Sequence, residues 1–218
     1  MHERVLVIAA HPDDELLGSG GTIKKLINNG FKVITVIMAK GRKEEEQKMQ
    51  QKVLNANKYL GVEESIFLEY PNLLLETFPL HVITKEIESL VVKYEPSIIF
   101  THHYGDINKD HQIVFQAVLT AARPLPGKKA IELICFETVS SSEWSHHTDD
   151  KSFKPNYYVD ITDTITKKLE ALQFYDVEMR PFPHPRSYIG VKHLAQVRGM
   201  TIGAEYAEAF EIIRRIWK

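Results

Sequence analysis

The chain has 218 residues, 44% of them hydrophobic and 26% charged, with a formal net charge of -2. That balance is ordinary for a soluble globular protein and argues against a strongly electrostatic partner such as nucleic acid or an anionic membrane. No apolar stretch approaches the length of a spanning helix, and the N-terminal apolar run is about half a signal-peptide core, so a cytoplasmic location is expected. The single cysteine, Cys135, excludes an intrachain disulfide and reads as a small buried hydrophobe in an apolar run.

Strand and helix patterns alternate along most of the chain, the mark of βαβ units. The unbroken apolar run from Val5 to Ala10 predicts a strand buried on both faces. Residues 22–29 follow with helical spacing, and Gly30 is a natural stop. Strands are predicted over 32–39 and 65–69, separated by a polar helix over 44–60 that ends at Gly61. An amphipathic helix over 80–94 stops before Pro96, and a buried-type strand over 97–101 leads to a helix over 110–123. Further strands are predicted over 132–139 and 156–161, then a helix over 162–178. Pro181, Pro183 and Pro185 force an extended loop, and a helix over 189–200 follows it. Residues 206–216 suit either a helix or a strand. The expected fold is a single α/β domain over 1–218. It has a Rossmann-like, open, mostly parallel sheet flanked by helices on both faces, and the part from about residue 145 completes the substrate side.

Two loops share one logic, a buried strand followed by metal-competent groups. The first carries His11, Asp13 and Asp14; the second carries Asp106, Asp110 and His111. If both strands lie in one parallel sheet, both loops leave the same edge, and His11, Asp14 and His111 can meet around one ion. Two imidazoles and a carboxylate leave a position open, as in catalytic zinc sites, where the metal acidifies water and polarises a carbonyl. Asp13 is the adjacent candidate for a general base. Taken singly, a histidine after a strand is more often a packing residue than a ligand. The pairing of two such loops is what raises the metal reading.

Ala10-His-Pro-Asp-Asp-Glu15, followed by Gly18-Ser-Gly-Gly21, resembles the first motif of the PIG-L/LmbE-like de-N-acetylases. This zinc-dependent family acts on N-acetylglucosaminyl conjugates. Thr101 to His111, with Ala121-Ala-Arg-Pro124, is similar to the family's histidine loop. Glu137 to Trp144, Pro183 to Ser187, and Arg198-Gly199 with Ala207-Glu-Ala-Phe210 resemble later blocks of a bacterial and archaeal branch. The resemblance implies one Zn2+ per chain on His11, Asp14 and His111, Asp13 as the base that activates water, and Asp110 as a supporting carboxylate. Glu15 is as well explained as a loop brace as by a direct role, and one of His102 and His103 is expected behind the ligands.

The implied reaction is hydrolysis of the N-acetyl group of an amino sugar or its conjugate to acetate and a free amine. Several members of that family carry a histidine three residues before the second-loop ligand, where this chain has Asn108. An amide can donate to an oxyanion but cannot deliver a proton. Asp13 once protonated, or His184 in the proline-stiffened loop, is then the source of the amine's proton. Arg186 and Arg42 are candidates for holding a substrate phosphate or carboxylate, with an ion pair inside the fold as the other use of Arg186. The alternative function is a non-catalytic sugar- or nucleotide-sugar-binding domain that keeps the fold, and a homo-oligomer is left open. Dinucleotide binding at Gly18 to Gly21 fails because carboxylates intervene after the strand and no acidic residue ends the second strand. Magnesium phosphoryl chemistry fits two histidine ligands poorly.

Overall fold

The computed structural model describes residues 3–41, 46–146, 148 and 150–217. Its strands are β1 (Arg4–Ala9), β2 (Lys32–Ala39), β3 (Glu64–Tyr70), β4 (Ile98–His102), β5 (Glu132–Phe136), β6 (Tyr157–Asp160) and β7 (Ala207–Arg214). They form one sheet in the order β3-β2-β1-β4-β5-β7-β6. β3, β2, β1, β4 and β5 run parallel, while β7 runs antiparallel to both β5 and β6. The helices are α1 (Asp14–Asn28), α2 (Glu46–Leu60), α3 (Leu80–Tyr94), α4 (Lys109–Ala121), α5 (Ile165–Leu172) and α6 (Tyr188–Met200). No helix among the described residues is long and apolar enough to cross a membrane.

Alternation along β1 shows why its sequence is apolar throughout. Val5, Val7 and Ala9 join a core with α1, α2, α5 and α6, while Leu6, Ile8 and Ala10 face α3 and α4. With helices on both faces, a central strand has no polar side to present. Successive βα units move outward from β1 in one direction to β2 and β3, then in the other to β4 and β5. Strand order therefore reverses between β1 and β4. In open α/β sheets the crevice at that reversal, beyond the carboxyl ends of the strands, is where ligands bind.

Three elements differ from their predicted spans for identifiable reasons. Helix α1 begins at Asp14, eight residues before its apolar periodicity does, because Gly18 to Gly21 are helical and buried. Their missing side chains are a packing requirement: a Cβ on Gly18 would enter the Phe136 ring, and one on Gly21 would lie 2.9 Å from Ile161. The helix kinks at Ser19 (φ -146°, ψ 17°). Beyond the kink, Glu208 of β7 accepts from the amides of Gly21 and Thr22 at 2.9 and 2.7 Å, satisfying backbone donors that the kink leaves free. Buried Lys168 of α5 pairs with Glu208 at 2.6 Å and donates to the Leu17 carbonyl at 2.8 Å.

Helix α5 stops at Leu172 and gives way to a tighter turn, Gln173–Tyr175, which buries Tyr175 completely. The segment 206–216, open between helix and strand, is the strand β7. It is inserted between β5 and β6, and Phe210 lies opposite both Phe136 and Tyr157.

Candidate active site

The loops after β1 and β4 meet at the crevice. Ala10 ends the β1 run, and its amide donates to His102 Nε2 at 2.9 Å, tying the two strand ends together. Pro12 follows His11, and Asp13 then adopts φ 96°, a left-handed conformation that strains a non-glycine residue but that aspartate tolerates better than most. This turn starts α1 at Asp14, whose Oδ2 accepts from the His11 amide at 3.0 Å. On the other loop, Asn108 caps α4 by accepting from the Asp110 amide at 2.9 Å. Asp106 accepts from the Asn108 amide at 2.8 Å, so both the loop and the first helical turn are held.

Three donor atoms converge. His111 Nε2 lies 3.1 Å from Asp14 Oδ2, His11 Nδ1 lies 3.2 Å from the same oxygen, and the two ring nitrogens are 3.3 Å apart. For metal–ligand bonds of about 2.0–2.1 Å, tetrahedral geometry sets neighbouring ligands about 3.3–3.4 Å apart. The triangle is therefore the size of one face of a zinc coordination sphere, and its two nitrogens and one oxygen are the donor types zinc takes. His11, Asp14 and His111 form the cluster of metal-ligating type found among the described residues.

Carboxylates stand behind both rings. Asp110 Oδ2 accepts from His11 Nε2 at 3.0 Å, which commits Nε2 as the donor and reserves Nδ1, 3.2 Å from Asp14 Oδ2, for a metal once it sheds its proton. Asp106 Oδ2 faces His111 Nδ1 at 3.2 Å, an ion-pair contact off the hydrogen-bond direction. Asp110 thus braces the ligand on the opposite loop, and Asp106 braces His111. Ser142 donates to Asp106 Oδ2 at 2.9 Å, and Ser141 bonds its other oxygen. Burial opposes charge on His111, yet Asp14 and Asp106 outweigh it and push its pKa up to about 10. Burial likewise opposes the Asp14 anion, but His111, His11 and His102 hold it well below the usual carboxylate range. Of the two strand-end histidines, His102 sits behind the site, stacked 3.8 Å from His111 and kept neutral by burial. His103 points away, bonding Glu211 at 2.8 Å and the Lys151 carbonyl at 2.9 Å.

Asp13 is 2% exposed, and its Oδ2 pairs with Arg186 Nη1 at 3.0 Å. Burial, countered by Arg186 and reinforced by Asp14, Glu15 and Glu178, raises its pKa well above the ordinary aspartate value. A carboxylate so placed takes a proton readily. Glu15 is a brace: its carboxylate accepts from the Asp13 amide at 3.1 Å and from the Tyr175 hydroxyl at 2.8 Å, and burial raises its pKa to about 7.

A cavity of about 200 Å3 opens over these groups, lined by His11, Asp13, Asp14, Asn108, His111 and Arg186. Glu178, Ser140 and Asn72 also line it; Ser140 falls within the Glu137 to Trp144 block, whereas neither Glu178 nor Asn72 lies in a motif that marks it in the sequence. Arg186 has two donors engaged within the protein, Nη1 on Asp13 and Nε on Ser140 Oγ at 3.0 Å. His184 lies outside this cavity in an adjoining cleft, its Nδ1 accepting from the Arg186 amide at 3.0 Å. Gly41 reaches the cavity wall, but Arg42 falls outside the described residues.

Comparison with known proteins shows the family and the fold. The family model described as PIG-L, GlcNAc-PI de-N-acetylase, matches residues 6–122, which carry both loops. A diacetylchitobiose deacetylase of Thermococcus kodakarensis is 26% identical, covering 99% of this chain and 85% of its own. The uncharacterized deacetylase YaiS of Escherichia coli (strain K12) is 28% identical, covering 78% and 88% respectively. Among solved structures, N,N'-diacetylchitobiose deacetylase from Pyrococcus horikoshii superposes with a TM-score of 0.78 at 24% identity, covering 97% of this chain and 84% of that one.

Proposed function

Because the chain belongs to the PIG-L family of de-N-acetylases, we propose that it is a zinc-dependent hydrolase that removes the acetyl group from an N-acetylated amino sugar or its conjugate. The observation that carries this reading is the triangle of His11 Nδ1, Asp14 Oδ2 and His111 Nε2 beside a buried carboxylate, Asp13. A divalent ion held by those three atoms supplies Lewis acidity, acidifying water and polarising the amide carbonyl.

The chain's own groups do the rest. Asp13, steadied by Arg186, accepts the proton of the attacking water. The side-chain oxygen of Asn108 is engaged by the Asp110 amide, which leaves its NH2 to donate to the oxyanion. Collapse of the tetrahedral adduct breaks the carbon–nitrogen bond, and the nitrogen takes a proton as it leaves. Asp13 holds that proton inside the cavity, whereas His184 lines the adjoining cleft; placement favours Asp13 as its source. Acetate and a free amine result.

The test is parallel detection of acetate and primary amine from a panel of N-acetylglucosaminyl compounds, before and after chelation and with zinc restored. Turnover that chelation abolishes and zinc restores is expected. Sugar binding without acetate release, by protein shown to hold zinc, would favour the non-catalytic binding domain instead.

A further inference from the structure

Asp13 stands where a helix is capped, yet its side chain does not cap. It directly precedes α1, and its carbonyl accepts from the amides of Leu16 and Leu17 at 3.0 and 2.9 Å, starting the helix. An aspartate in that place ordinarily has an extended backbone and turns its carboxylate onto an amide of the first turn. Here the backbone is left-handed, at φ 96° and ψ -28°, and the side chain makes no capping bond. The carboxylate lies on Arg186 at the cavity instead. An ordinary cap is thus the relaxed alternative for Asp13, and in that pose its carboxylate would be engaged by the helix.

Two contacts hold Asp13 away from that alternative. Arg186 takes the side chain at 3.0 Å. Glu15 takes the backbone, accepting from the Asp13 amide at 3.1 Å, which is the reach-back half of a capping box without its reciprocal. Glu15 has an anchor of its own: its other oxygen accepts from the Tyr175 hydroxyl at 2.8 Å. Both residues are fully buried, so solvent does not replace the phenol as a donor.

Tyr175 enters from the far part of the chain, 160 residues from Glu15 and outside the segment 6–122 that matches the family. The tight turn Gln173–Tyr175 that ends α5 sets its ring in the core with Leu16 and Leu17. Burial, with the Glu15 carboxylate beside it, raises the phenol's pKa well above the ordinary value, so the hydroxyl keeps its proton and remains a donor. Core packing calls only for the ring; the hydroxyl serves Glu15. We infer that Tyr175 is a positioning residue: its hydroxyl, acting through Glu15, keeps Asp13 in the strained turn that presents the carboxylate to the cavity rather than to the helix. This rests on the deacetylase reading and adds to it the group that holds its base in place.

The test is Tyr175→Phe, which removes one oxygen and keeps the ring. Acetate release from N-acetylglucosamine and N,N'-diacetylchitobiose is measured per bound zinc. An expected loss of about tenfold to a hundredfold in kcat, with KM and zinc stoichiometry unchanged, is the scale of displacing a reacting group by up to about 1 Å. A purely structural hydroxyl would lower the melting temperature and leave kcat of the folded chain where it was. Diffraction from zinc-loaded crystals of the variant gives the second readout: Asp13 should leave its positive φ or lose Arg186. Unchanged kcat in the folded, zinc-loaded variant would overturn the inference, as would a fall in kcat with Asp13 unmoved. If Tyr175→Phe does not fold, Glu15→Gln and Glu15→Leu read the same link from its other end. Glutamine keeps an oxygen for the Asp13 amide and should retain more of kcat than leucine does; equal kcat in the two would overturn the inference. Acetate from neither sugar with the unaltered chain would count against the deacetylase reading itself, and the conformation of Asp13 in the crystals would then decide the positioning role alone.

Discussion

Asp110→Asn is the most informative single change at the metal-competent site. The two oxygens of Asp110 serve different donors, His11 Nε2 at 3.0 Å and the Leu75 amide at 3.1 Å. Asparagine has the same shape but one acceptor, so one of these donors must face an NH2 group. A buried donor left without a partner costs about 1–3 kcal/mol. Independently, loss of the carboxylate behind a metal-bound histidine weakens metal affinity about 10–100-fold, or about 1.4–2.7 kcal/mol. The first cost falls on stability, at His11 or at the Leu75 amide, and the second on metal affinity, where the ring of His11 is no longer held with Nδ1 aimed at Asp14. Zinc competition against a chromophoric chelator, with thermal melting of the metal-free protein in the same buffer, reads both quantities. Affinity should fall by about one to two orders of magnitude while the protein stays folded. A folded Asp110→Asn variant that binds zinc as tightly as the unaltered chain would refute the bracing role.

Other changes test neighbouring links. Asp13→Asn should keep zinc yet lose about 100-fold or more in kcat, whereas His11→Ala should lose both metal and turnover; metal analysis beside acetate assays separates them. Asp14 and Asp106 push the His111 pKa up to about 10 and that of His11 is also raised, so both rings must be free of that proton to bind a metal. Apparent zinc affinity should therefore rise at least about tenfold per pH unit across roughly pH 6 to 9, most steeply at the acid end. A flat profile in calorimetry would contradict the proton's displacement. Far from the site, Lys168→Met strands the buried Glu208 carboxylate and should destabilise the fold by about 3–5 kcal/mol in urea titration. Adding Glu208→Gln should recover part of that loss.

The parts of this molecule legible in the sequence are those set by local pattern. Apolar runs at Val5 to Ala10 and in β2 and β4 give buried parallel strands, because such strands must be apolar on both faces. With those strands parallel, His11, Asp14 and His111 have to emerge at one edge, so the cluster could be anticipated. What long-range contact decides was hidden. The glycines of α1 are helical because Phe136 and Ile161, more than a hundred residues on, press against them. The brace of each ligand also crosses or follows the chain in ways spacing does not encode: Asp110 serves His11, 99 residues away, and Asp106 serves His111. Arg186 reaches Asp13 across 173 residues, a contact that only the closed sheet creates. Glu178 and Asn72 carry no signature of their own, and a carboxylate or amide in a loop signals a cavity wall only once the loop is placed.

The central claim is that one ion sits on three named atoms. X-ray diffraction at the zinc absorption edge from crystals of the metal-loaded protein addresses it directly. An anomalous peak is predicted within about 2.0–2.2 Å of His11 Nδ1, an Asp14 oxygen and His111 Nε2, with a fourth position facing the cavity. A fully loaded crystal with that peak elsewhere, or with the three side chains turned apart around it, would contradict the claim.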